Sequence, residues 1–349
     1  MRSALVAVLA LLAACQQPAG ILVRTATPAP SGSASTNAMT AGGSATPGAN
    51  TAATPRMTEF PVGPGQGPHD VAPAVDGGVW YTAQRTGELG YLDPKTGVYR
   101  MTKLGNGSAP HGVIVGPDGN PWITDGGLNA IVRVDATSNE VTRYPLGGPN
   151  VNLNTATFDK DGILWFTGQS GYFGHLDPKT GVLKVLRSPR GAGPYGITAT
   201  PDGRIFYASL AGSHIAWIDT KEDVATPIDP PTPGQGARRV WSDSKSQIWV
   251  SEWNAGQLGF FSAHVNQWKE WKLPGANPMA YAVYVDDQDI VWLTDFGANA
   301  IVRFDPQTET FTSLPHSAPN AAVRQLLGRP GEVWGAMSGQ DKLLLIRTR

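Results

Sequence analysis

The 349-residue chain has a single cysteine, Cys15, so no disulfide can form within it and stability must come from packing and hydrogen bonds. Neither sign of charge is in excess: 27 Lys and Arg stand against 28 Asp and Glu. This excludes the broad field that a nucleic acid or an anionic membrane surface requires, and no nucleic-acid partner is expected. Long apolar runs are also missing, and the one at residues 4–12 falls short of the ~20 residues of a membrane-spanning helix. No closely spaced histidine pair or cysteine set suits zinc, no glycine-rich loop opens a helix to hold phosphate, and no nucleophile elbow is present.

Glycine, proline and tryptophan are abundant, at 42, 29 and 11 residues, which favours many turns and large aromatic anchors in a short-stranded all-β architecture. At the N-terminus, Arg2 precedes the apolar run, and small residues precede Cys15, as in a secretory signal peptide over residues 1–14. The sequence Leu12-Ala13-Ala14-Cys15 resembles a lipobox, which predicts lipidation of Cys15 and an extracytoplasmic protein anchored to a bacterial membrane through lipid alone. Gln16 fits sorting to the outer membrane, facing the periplasm or the cell surface. Residues 15–56 are rich in Ala, Thr, Pro, Gly and Ser. They have too few bulky apolar groups to offset the entropy of ordering, so a disordered tether is expected there.

The remainder, 57–349, is periodic. Trp80, Trp122, Trp165, Phe206, Trp249, Trp292 and Trp334 recur at spacings of 42, 43, 41, 43, 43 and 42, each preceded by a turn and followed two positions later by a small or hydroxylated residue. A period of ~40–45 is the size of a four-stranded propeller blade, so the seven marks predict a seven-bladed β-propeller. Asp-Gly pairs at 76, 118, 161 and 202 suit the turns between first and second strands, and Asp93-Pro-Lys-Thr-Gly97 suits the turn between third and fourth. The chain ends after a third strand while the segment beginning at Thr58 has the character of a fourth. Pairing of the N-terminal strand with the C-terminal blade is therefore expected to close the ring. The aromatic marks themselves read as wedges between blades, not as chemistry.

Candidate site residues come from two positions in the repeat. Eleven residues before each mark stand His69, His111, Asn154, Tyr195, Arg238, Tyr281 and Val323, a mostly polar set where innermost strands should begin. Three residues after the mark stand Asp125, Glu252 and Asp295, any of which could hold a hard cation with channel carbonyls and water. From these the candidate catalytic groups are His111 and His69 as bases and Arg238 as anion stabiliser. Asn154, Tyr195, Tyr281 and Trp253 are candidate ligand contacts, and Asp125, Glu252 and Asp295 candidate metal ligands. The same groups would also serve to satisfy backbone and water in a hydrated channel.

Ala109-Pro-His-Gly-Val, Gly193-Pro-Tyr-Gly-Ile-Thr, Leu164-Trp-Phe-Thr-Gly, Trp249-Val-Ser-Glu-Trp and Gly297-Ala-Asn-Ala-Ile-Val-Arg-Phe resemble repeats of the virginiamycin B lyase, or streptogramin lyase, family across 57–349. The resemblance implies a seven-bladed propeller. It further implies elimination chemistry that opens a cyclic depsipeptide with a histidine base and a divalent cation such as magnesium. It also places that machinery: the family's blade-six histidine falls on Tyr281, its metal-binding Glu on Ala321, its base on Val323 and its second Glu on Ser338. None of the four is retained. A monomeric module that binds a small molecule, peptide or cell-surface protein is favoured on this ground. The alternative is a lyase or hydrolase acting on a cyclic peptide, ester or lactone through the polar residues of the mouth.

Overall fold

The computed structural model describes residues 55–349. The signal peptide, the lipidation site at Cys15 and all but the last two residues of the tether lie outside the described residues. The described residues form 28 strands in seven four-stranded antiparallel sheets. In six blades the strands follow chain order, as in Pro68–Pro73, Val79–Ala83, Glu88–Leu92 and Tyr99–Lys103 of blade one. The seventh combines Val323–Arg329, Glu332–Met337 and Lys342–Arg347 with the N-terminal strand Arg56–Pro61, which begins at the residue where the sequence places the end of the tether. Each residue of Arg56–Pro61 pairs in register with one of Lys342–Arg347, so the outer strand of the last blade is supplied by the start of the domain. Asp341 reinforces this seam by accepting from the N–H groups of Gly65 and Gly67 at 2.8 and 2.7 Å.

The marks fill the wedges between blades. Trp80 of blade one packs with Val113, Ile123 and Val132 of blade two, Trp249 with Val283 and Leu293 of blade six, and Trp334 with Val71 and Tyr81 of blade one. Truncating an indole so buried costs ~3–5 kcal/mol. The buried rings still satisfy their N–H groups. Trp122, Trp165, Trp249 and Trp292 donate to Asp118, Asp159, Asp243 and Asp286, each in the turn between first and second strands. Among those turns, Gly77, Gly119, Gly162 and Gly203 adopt φ of 96, 75, 82 and 89°, which only glycine enters without strain.

Candidate functional site

The seven innermost strands line the axis, and every one breaks its register with the second strand of its blade near its first residues. Such bulges re-aim side chains, and here they set two successive residues of each strand at the axial end. A repeated hydroxyl fixes the geometry. Thr82 Oγ1 accepts from Asp70 N and donates to the carbonyl of His111 on the next blade; Ser251 accepts from Arg239 N and donates to Tyr281 O at 2.7 Å. Thr124 and Thr167 do the same for Asn154 and Tyr195.

Six of the sequence-predicted residues converge through this device. The rings of His69 and His111 lie 3.8 Å apart between centroids, and His111 Nε2 meets Asn154 Nδ2 at 3.2 Å. Because the amide nitrogen can only donate, His111 Nε2 accepts and its proton sits on Nδ1, which is buried without a partner among the described residues. On the opposite side, Tyr195 and Tyr281 share a 2.8 Å hydrogen bond. Arg238 donates to Tyr195 Oη at 2.9 Å and lies 3.7 Å over the Tyr281 ring, with Trp253 4.7 Å from its guanidinium carbon. Val323 packs instead into the apolar cluster around Tyr281 and Trp292.

Three charged residues that the sequence reading passed over complete the centre: Asp70, Arg239 and Arg324, each one position after a ring residue. Arg239 holds both oxygens of Asp70, at 2.9 and 3.2 Å, and Asp70 Oδ1 also accepts from His69 Nδ1 at 2.8 Å. Arg324 donates to Ser338 Oγ at 2.7 Å and approaches Tyr281 Oη at 3.4 Å. Their common offset of ten residues before the mark was available as a signal, since charge seldom occurs at the start of a buried strand.

Electrostatics follow from this arrangement. Burial, with the guanidiniums of Arg324, Arg239 and Arg238, pushes His69 well below its ordinary value; burial and the neighbouring His69 do so for His111, and both rings are neutral. Burial raises the phenol of Tyr195, and the shared hydrogen bond to Tyr281 adds to it. Burial would also raise Tyr281, but Arg238, Arg324 and Arg239 outweigh it and draw that phenol down.

The magnesium implied by the family resemblance finds no fitting donor set. Among the described residues Asp125, Glu252 and Asp295 do not gather into one group of ligands. Asp125 accepts from Ala109 N and Leu128 N at 2.9 and 3.0 Å, and Asp295 from Met279 N and Gly297 N at 2.8 and 2.9 Å, so both tie down loops. Glu252 is fully buried beside Gly259. The group of potential ligands that does converge among the described residues is His69, Asp70 and His111. There the Arg239 guanidinium already occupies the carboxylate, and its charge opposes a cation.

A sequence profile of the virginiamycin B lyase family matches residues 44–267. The chain belongs to that family. Solved relatives share its fold. A virginiamycin B lyase from Staphylococcus aureus, 20% identical, superimposes with a TM-score of 0.79 over 84% of this chain and 99% of its own. A streptogramin B lyase, 22% identical, gives 0.79 over 86% and 99%. The extracellular domain of a B. thetaiotaomicron two-component-system protein gives 0.70 at 15% identity, over 84% of this chain and 43% of that one. No curated protein matches the chain. Within the family pattern, the side of the mouth expected to hold the base and metal carboxylates carries buried Ala321 and Val323, and Ser338 bonded to Arg324.

Proposed function

We propose that the protein is an extracytoplasmic, lipid-anchored propeller that binds a small-molecule or peptide ligand at its channel mouth and does not carry out the family's depsipeptide elimination. One observation carries this reading: the family's base and metal carboxylates are replaced by Val323, Ala321 and Ser338, the last bonded to Arg324, while the mouth is organised around Arg238, Tyr195 and Tyr281. An arginine bonded to the residue at one of the dication's ligand positions reverses the local electrostatics that such an elimination needs. The N-terminal sequence and the fold shared with the extracellular domain of a two-component-system protein support the location. The test is incubation of the protein with a streptogramin B depsipeptide and magnesium, with chromatographic detection of ring-opened product. Turnover no faster than in buffer is expected, and product formation proportional to protein would overturn the reading.

A second reading, a lyase or hydrolase of another ester or lactone, is favoured by one contact. Asp70 orients His69 through Nδ1 at 2.8 Å, which leaves Nε2 as the accepting nitrogen of a base. Turnover lost in His69→Asn at unchanged melting temperature would establish it.

A further inference from the structure

Three guanidiniums, Arg238, Arg239 and Arg324, and one carboxylate, Asp70, share the axial end of the channel. Asp70 is spent on Arg239 and His69. His69 and His111 are neutral and contribute no charge of either sign. Among the described residues Arg238 has no carboxylate partner; its contacts are the Tyr195 and Tyr281 hydroxyls and three aromatic faces, and its Nε has no hydrogen-bond partner there. Aromatic faces offset only part of a cation's desolvation. The half-buried Arg238 guanidinium therefore has no carboxylate partner at the mouth, and the Tyr281 phenol, which it draws down, is the acid nearest to it.

Apolar surface adjoins that charge on one side. Trp253 and Phe296 are half-buried, with ring centroids 5.5 Å apart, and both pack on Tyr281; Met279, in the loop leading to the same strand, is 38% exposed. Rigid aromatics beside a guanidinium form a two-part recognition surface, polar at one end and apolar at the other.

We infer that the ligand is an organic anion of mixed character: a carboxylate set against Arg238, joined to an aromatic or branched aliphatic group lying on Trp253, Phe296 and Met279. This rests on the binding reading above and specifies the ligand class for that same site. A polyanion fits less well, because the chain as a whole carries a formal net charge of −1.

Calorimetric titration of the full chain with N-acetylphenylalaninate, its uncharged amide and acetate tests the inference. The acid should bind about tenfold or more tighter than the amide, as expected for a charge-assisted hydrogen bond, and tighter than acetate, which lacks the ring. Arg238→Gln should erase the preference for acid over amide, whereas Trp253→Ala should weaken both alike. If Arg238→Gln fails to fold, Arg238→Lys serves in its place and should reduce the preference. An amide that binds as well as the acid, or a preference that survives loss of Arg238, overturns the anionic class and leaves the binding reading standing. A wild-type protein that takes up none of the three at millimolar concentration removes the binding reading as well.

Discussion

Arg239 of blade five reaches across the axis to hold both carboxylate oxygens of Asp70 in blade one, with both side chains buried. A buried pair of this kind contributes little net stability, because desolvation offsets the attraction, but losing one partner strands the other charge. Asp70→Asn is expected to lower unfolding free energy by ~3–5 kcal/mol, measured by denaturant titration. The double replacement Asp70→Leu with Arg239→Met should recover most of that loss. A single variant as stable as wild type would show that the pair does not bridge the blades.

The hydroxyl device of the ring makes a second quantitative claim. Thr124 accepts from Gly112 N at 2.9 Å and donates to the carbonyl of Asn154 on the next blade, all within the buried interior. Thr124→Val keeps the shape but leaves a donor and an acceptor unpaired, which costs ~1–3 kcal/mol for a buried group. Thr124→Ser, which keeps the oxygen, should lose much less. Equal losses for Val and Ser would mean that packing of the methyl group dominates.

That device also explains what was legible in the sequence. Trp80 and Trp122 are each followed two positions later by a threonine, and the repeat of aromatic and hydroxyl encodes blade count and register together. His69, His111, Asn154, Tyr195, Arg238 and Tyr281 could be placed from spacing alone, because a closed ring brings equivalent positions of all blades to one level. Spacing does not encode which way a side chain turns at a bulge. Asp125 and Asp295 share an offset, yet both turn to loop N–H groups, while Asp70 and Arg239, from blades one and five, find each other across the axis. Contacts across the ring depend on side-chain length and on which blades face each other, and neither follows from the period.

Glu252 yields a prediction of defined sign. It is fully buried, neither carboxylate oxygen has a hydrogen-bond partner among the described residues, and burial together with the Glu270 carboxylate raises its pKa to about 8. A carboxyl raised above its unfolded value contributes stability that is complete below the ordinary carboxyl range and is lost as pH rises towards about 8, because the unfolded chain ionises freely while the folded chain holds the proton. Glu252→Gln removes this dependence. The variant should melt close to wild type near about pH 4 and several degrees above it near about pH 9, the gap widening steadily between. Comparison at matched pH cancels the buried histidines, whose lowered values act in the opposite direction, costing stability as pH falls through about 6.5. A gap that stays constant with pH would show that Glu252 is ionised in the folded protein and that an unseen donor or cation satisfies it.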